Sequence, residues 1–242
     1  MNKVTYTIAE NAPIASGVFR LRLTGDTSAI TAPGQFLELK LPGFFLRRPI
    51  SVCDWEENTV TLLYKVVGGG TDWLSRCTPG QALDALSGLG NGFAASDCGE
   101  TTLLCGGGIG AAPLYGLARR LLDAGTTSVA LLGFNTSADV FYEQEFRSLG
   151  IKTVIVTADG SYGTRGFVTD ALPERFDTVC ACGPMPMLKA LCTKTDRPGQ
   201  ISLEARMGCG FGACMGCTID TVNGPKRVCR EGPVFGREEI KW

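Results

Sequence analysis

Residues 204–219 read E-A-R-M-G-C-G-F-G-A-C-M-G-C-T-I, and a further cysteine stands at 229. No other stretch restricts the chain as much. The spacing is Cys209-x4-Cys214-x2-Cys217, followed by Cys229. Four thiolates spaced this way can converge on two irons, and C-x4-C-x2-C…C is the plant-type [2Fe–2S] pattern. So short a loop must wrap the cluster closely. The glycines between the cysteines let backbone N–H groups approach the sulfides. Zinc is the competing metal, because paired thiolates also build zinc ribbons. Those usually show two C-x2-C knuckles, and here there is one. Buried thiols without a metal are the third reading.

The rest of the composition narrows the classes. A chain of 242 residues accommodates two modest domains or three small ones. A net charge of −1 gives no electrostatic reason to expect nucleic acid or an anionic membrane. The N-terminus has no basic stretch before an apolar core, and no apolar run approaches the ~20 residues of a membrane span. A cytoplasmic protein is expected. Seven of the eleven cysteines lie outside the motif, in apolar contexts such as Val179-Cys180-Ala181-Cys182. In a reducing compartment these read as small core residues. There is no histidine. Ser–His and Cys–His nucleophiles, His-ligated metals and Rieske clusters are therefore excluded. Chemistry on such a chain is expected to draw on cofactors.

Residues 3–9, 17–23, 35–41, 50–53 and 59–67 read as strands. In the second, Phe19, Leu21 and Leu23 alternate with Arg20 and Arg22. Short strands punctuated by Gly and Pro predict an antiparallel barrel or sandwich. Arg47-Arg48-Pro49-Ile50-Ser51 opens one strand. Arg can grip a pyrophosphate bidentately, although a solvated basic turn fits the same letters. Gly68-Gly69-Gly70-Thr71 leads into a short helix, as an anion site or as a flexible turn.

From about residue 101 the pattern becomes β-α-β. The apolar run 101–105 is followed by Gly106-Gly107-Gly108-Ile109-Gly110. Residues 111–123 then place Leu114, Leu117, Ala118, Leu121 and Leu122 on one helical face. Further strands are expected at 129–132, 153–156 and 178–181. This predicts a doubly wound α/β sheet whose first βα turn, with Gly106, Gly107, Gly108 and Gly110, meets a dinucleotide pyrophosphate. Cys182-Gly183-Pro184-Met185-Pro186-Met187 after the last strand is either a ligand-facing segment or a tight strand-to-helix turn. After the second strand, residues 133–139 carry no Lys or Arg, which favours NAD over NADP.

Taken together, R-P-I-S, G-G-G-T and C-G-P-M-P-M resemble the ferredoxin–NADP reductase superfamily. That resemblance implies that Arg48 holds the FAD pyrophosphate and that Ser51 lies near the flavin ring. It also implies that Pro49 and Ile50 line the flavin and that Leu63, Tyr64 and Lys65 flank it. Gly70 and Thr71 would bind phosphate, and Cys182, Gly183 and Pro184 would lie beside the nicotinamide. With D-G-S-Y-G-T-R-G at 159–166 and M-G-C-G-F-G-A-C-M-G-C at 207–217, the whole chain resembles the electron-transfer subunits of type B dihydroorotate dehydrogenase.

The resemblance implies three units: an FAD-binding barrel at 1–98, an NAD-binding α/β domain at 99–199 and a [2Fe–2S] segment at 200–242. It assigns the cluster to Cys209, Cys214, Cys217 and Cys229. It also implies a separate FMN-containing catalytic subunit that oxidises dihydroorotate for pyrimidine biosynthesis, in a heterotetramer of two subunits of each kind. This chain would then supply no general acid or base for dihydroorotate. A flavin/[2Fe–2S] subunit of an NADH-dependent ferredoxin–NADP oxidoreductase or sulfhydrogenase shares the architecture, and a zinc-bearing interaction module is the non-enzymatic alternative.

Overall fold

A computed structural model describes residues 1–242. The first unit is a closed barrel of six antiparallel strands: β1 (Asn2–Ala15), β2 (Val18–Thr24), β3 (Phe36–Lys40), β4 (Arg48–Glu56), β5 (Thr59–Lys65) and β6 (Ala82–Leu89). They close in the order β1-β2-β5-β4-β3-β6. Alternating residues fill the inside, among them Tyr6, Ile8, Leu21, Leu23, Leu37, Leu39, Leu62 and Tyr64. Helix α1 (Gly69–Ser75) follows β5.

The second sheet begins with β7 (Thr101–Gly107). Helix α2 (Ala111–Asp123), β8 (Thr127–Phe134), α3 (Glu143–Ser148), β9 (Lys152–Thr157) and β10 (Thr164–Arg165) follow. Next come β11 (Thr178–Cys182), α4 (Met185–Lys194) and β12 (Gly199–Ser202). The cysteine segment forms a hairpin, β13 (Thr218–Thr221) and β14 (Gly224–Arg227), and then β15 (Val234–Gly236). The sheet order is β10-β9-β8-β7-β11-β12-β15. All pairs are parallel except the last, where β15 adds antiparallel to β12.

The cysteine segment is therefore stitched into the larger sheet. Cys217, Val228, Cys229, Phe235 and Ile240 share one buried core with Phe36 and Leu89 of the barrel and with Leu103, Val179 and Leu188 of the α/β unit. A segment this short cannot bury an adequate core of its own. Barrel and sheet are joined just as firmly. Leu63, Cys53 and Val18 of the barrel pack against Leu114, Leu117 and Leu121 of α2. A Cβ on Gly116 of α2 would stand 2.6 Å from the Cys53 carbonyl oxygen, so the helix and β4 are in backbone contact. Arg119 of α2 pairs with Asp54 of β4 at the same seam.

Candidate functional site

Between barrel and sheet lies a cavity of about 670 Å³. Val18 and Lys65 line it from the barrel, and Gly107, Gly108, Gly183 and Pro184 line it from the sheet. It therefore opens at the C-terminal ends of the parallel strands β7 and β11, where ligands of doubly wound sheets bind.

Close backbone packing builds this end. A Cβ on Gly110 would lie 2.3 Å from the Cys182 carbonyl oxygen and 2.7 Å from the Gly183 nitrogen. One on Gly107 would meet the Met187 sulfur at 2.5 Å and Pro184 Cδ at 2.9 Å. The glycines thus draw the N-terminal end of α2 and the C-G-P turn together. Gly106 and Gly110 do not line the cavity; they form the packing behind it. Nor does Cys182, whose thiol is 3% exposed and is pushed up to about 12 by burial. Its neutral sulfur belongs to the core beneath the turn.

On the barrel side, Lys65 reaches the cavity and stands 3.7 Å from Asp139, which also lines it. Leu63 and Tyr64 do not. Leu63 is buried at the seam with α2, and Tyr64 points into the barrel, where its hydroxyl donates to Asn11 Oδ1 at 2.9 Å. The period-two alternation of β5 explains the split: Leu63 and Lys65 share the outer face and Tyr64 takes the inner one.

The candidate flavin-anchoring residues cluster at the other end of β4. A Cβ on Gly70 would be 2.5 Å from Arg48 Nε, so the R-P-I-S strand and the G-G-G-T turn are in contact. Arg48 donates to the Leu46 carbonyl at 2.6 Å and lies over the Phe44 ring. Thr71 closes its own turn, accepting from Val67 N at 3.0 Å. Its hydroxyl is thus engaged locally, while Gly70 brings backbone up to the guanidinium. Pro49, Ile50 and Ser51 are half-buried along the strand, and Ile50 packs on the barrel core.

The cysteines stand as two pairs. Cys209 Sγ accepts from Ala213 N at 3.2 Å and Cys214 N at 3.5 Å. Cys217 Sγ accepts from Cys229 N at 3.4 Å, because the β13–β14 hairpin brings its two flanks together. No three Cys, Asp or Glu side chains are gathered at the spacing of a single ion. Two thiol pairs, each already receiving backbone N–H, fit a two-iron cluster in donor chemistry and in number.

Burial opposes ionisation of Cys209. The N–H groups of Cys214, Phe211 and Ala213 nevertheless outweigh it and hold the thiol down to about 6. Burial pushes the Cys229 thiol up. A positive metal would reverse that cost. The loop is held in shape by Arg227, which donates to the Gly212 carbonyl at 2.6 Å and pairs with Glu231. Glu231 is held down to about 2 chiefly by that guanidinium.

The cysteine loop also presents apolar groups. Phe211 is 42% exposed and Met215 is 54% exposed. Met207, which precedes the first cluster cysteine by two residues, packs partly against the shared core.

Comparison with known proteins agrees with this geometry. Residues 204–241 match the iron-sulfur cluster binding domain of dihydroorotate dehydrogenase B, and residues 104–193 match the oxidoreductase NAD-binding domain. The chain is 45% identical to the electron transfer subunit of dihydroorotate dehydrogenase B (NAD(+)) from Geobacillus sp. strain WCH70, covering 99% of each chain. It belongs to that family. The subunit of the same name from Bacillus pumilus is 43% identical over 99% of this chain and 98% of its own length. Among solved structures, that of an NADH-dependent reduced ferredoxin–NADP oxidoreductase superposes with a TM-score of 0.88 and 32% identity. The match covers 98% of this chain and 90% of that one.

Two functional features escaped the sequence reading. Lys65 was expected at the site, but its partner Asp139, 3.7 Å away on the other unit, was not, because nothing in their local sequence joins them. Glu38, on β3, lies against the cysteine loop. It resembles an ordinary outward-facing strand residue until the C-terminal segment is seen to cover it.

Proposed function

We propose that the chain passes electrons from a separate FMN-containing subunit, which oxidises dihydroorotate, to NAD+. The observation that carries this is the arrangement of the three sites in one rigid frame. The paired cysteines lie on one flank of the barrel, the R-P-I-S strand adjoins them through β3, and the cavity of about 670 Å³ opens at the barrel–sheet seam. A flavin between them supplies the exchange of single electrons for a hydride, because a cluster carries one electron and nicotinamide takes a pair.

The chain's own residues bind and orient. Arg48 and the Gly70 backbone anchor the FAD pyrophosphate, and Ser51, Pro49 and Ile50 lie along the ring. Gly107, Gly108, Gly183 and Pro184 shape the nicotinamide cavity, and Lys65 closes it from the barrel. Cys209, Cys214, Cys217 and Cys229 hold the [2Fe–2S] cluster. No residue here is assigned an acid or base role toward dihydroorotate, which is oxidised on the partner.

The exposed Phe211 and Met215 beside the cluster mark the face toward the catalytic subunit, in a heterotetramer of two subunits of each kind. Mixing the chain with its catalytic partner and measuring the mass of the complex tests the assembly. Phe211→Glu is expected to weaken association while iron and FAD contents stay unchanged. Full association of that variant would place the interface elsewhere. A complex with a ferredoxin-reducing partner in place of the dihydroorotate-oxidising one would favour the oxidoreductase reading that the 0.88 superposition also allows.

A further inference from the structure

Two carboxylates are buried in this chain, Glu38 and Glu143. Glu143 has partners: Arg147 at 2.6 Å and the Tyr162 hydroxyl at 2.9 Å. Glu38 has none. It is 0% exposed, and both carboxylate oxygens lack a hydrogen-bond partner. Leaving a buried polar group unpaired costs about 1–3 kcal/mol, and more for a charge.

Its surroundings explain the isolation. On β3 it stands opposite Pro49 of β4 and Leu86 of β6. The cations nearest it are committed elsewhere. Arg47 is bound to Asp84 at 2.5 Å and to the carbonyls of Glu38 and Asp84 at 3.2 Å. Arg48 donates to the carbonyls of Leu46 and Arg47. The carboxylate instead faces the cysteine loop. A Cβ on Gly210 would stand 2.5 Å from Glu38 Oε1 and 2.6 Å from its Cγ. Gly210 follows Cys209 directly and has φ +78°, so the loop backbone, with no side chain between, rests on the carboxylate.

We propose that Glu38 is a positioning residue for the cluster: its carboxylate seats the Cys209–Gly210 backbone and opposes the addition of an electron there. The inference rests on the [2Fe–2S] reading of the four cysteines. Reduction adds one negative charge to a group already ringed by thiolates. A fixed anion buried beside it raises the energy of the reduced form, because a low-dielectric interior screens charge weakly. Glu38 lies across one ladder from the R-P-I-S strand and against Gly210, between the candidate flavin anchor and the cysteine loop. A cluster disfavoured as an electron store there hands its electron onward more readily.

The test is a redox titration of the holoprotein, followed by electron paramagnetic resonance at alkaline pH, for the wild type, Glu38→Gln and Glu38→Asp. Iron and sulfide are assayed in each. At a fixed poise, Glu38→Gln is expected to raise the reduced-to-oxidised ratio at least tenfold, a shift of about 59 mV for a one-electron couple. Glu38→Asp should stay near the wild type. An unchanged potential in Glu38→Gln at full iron content overturns the proposal. If Glu38→Gln loses iron and Glu38→Asp keeps it, the seating role is supported by rescue of the charge. If Glu38→Asp loses iron while Glu38→Gln keeps it, the site needs the volume of glutamate and not its charge, and the seating role fails. Wild-type protein without iron and sulfide would instead refute the cluster reading itself.

Discussion

Gly110→Ala tests how the nicotinamide end of the cavity is built. Gly110 has an ordinary helical φ of −63°, so the substitution introduces no backbone strain and acts through packing alone. The new methyl would stand 2.3 Å from the Cys182 carbonyl oxygen, 2.5 Å from its carbon and 2.7 Å from Gly183 N. All three are backbone atoms and cannot rotate away. Restoring an ordinary contact means moving α2 and the C-G-P turn apart by about 1 Å, and overpacking of this kind costs about 1–3 kcal/mol. If half of that falls on the bound state, NADH affinity drops about two- to tenfold, at 1.4 kcal/mol per decade. The assay is NADH oxidation with an artificial acceptor, read as KM alongside the thermal midpoint.

Gly125→Ala serves as the control. Gly125 has φ +75° beyond the C-terminal end of α2 and open space around its Cα. Alanine there costs about 1 kcal/mol through its backbone and should lower the midpoint without moving KM. Equal KM values for the two variants would refute the packing account of the site.

Other outcomes follow from the same geometry. Arg48→Ala removes a charge-assisted contact worth about 1.5–3 kcal/mol and should weaken FAD retention about tenfold or more, read by flavin release on dilution. Cys214→Ser should abolish iron and sulfide binding while FAD stays bound, whereas Cys98→Ser, outside the motif, should leave both contents unchanged. Burial raises the Glu38 carboxyl from 4.5 to about 7. The folded chain therefore binds more protons than the unfolded one between those values, and stability falls as pH rises through that window. The loss is complete above about pH 7 and amounts to on the order of 3 kcal/mol at 1.36 kcal/mol per unit. In cluster-free protein, urea midpoints at acidic and alkaline pH should differ accordingly, and Glu38→Gln should flatten the difference.

Periodicity carried the architecture far. The alternation of Phe19, Leu21 and Leu23 and the helical face of Leu114, Leu117, Ala118 and Leu121 correspond to β2 and α2 as observed, whereas Leu122, expected on that face, is 48% exposed. Strand β6 was not visible, because it buries Ser87 with Leu83, Ala85 and Leu89 and leaves Leu86 on the opposite face, so polarity does not alternate along it. Strand β15 was equally silent: three residues gain their partner only from β12, some thirty positions upstream.

The site divides in the same way. The cysteine motif is local, so its spacing could be read. Which face of β5 meets the cavity depends on barrel closure, and that closure sends Tyr64 inward. Glu38 is met by Gly210, from a segment far along the chain. Sequence shows local chemistry well, but it does not show which strand face a distant loop will cover.

The central claim is that this chain moves electrons for a separate dihydroorotate-oxidising subunit. It is tested most directly by following NADH formation from dihydroorotate and NAD+ with the chain alone, with the FMN-containing catalytic subunit alone, and with both together. The account predicts NADH only in the mixture, and none when Cys214→Ser replaces the wild-type chain. NADH formed by the isolated chain, or full coupling by the cluster-free variant, would contradict it.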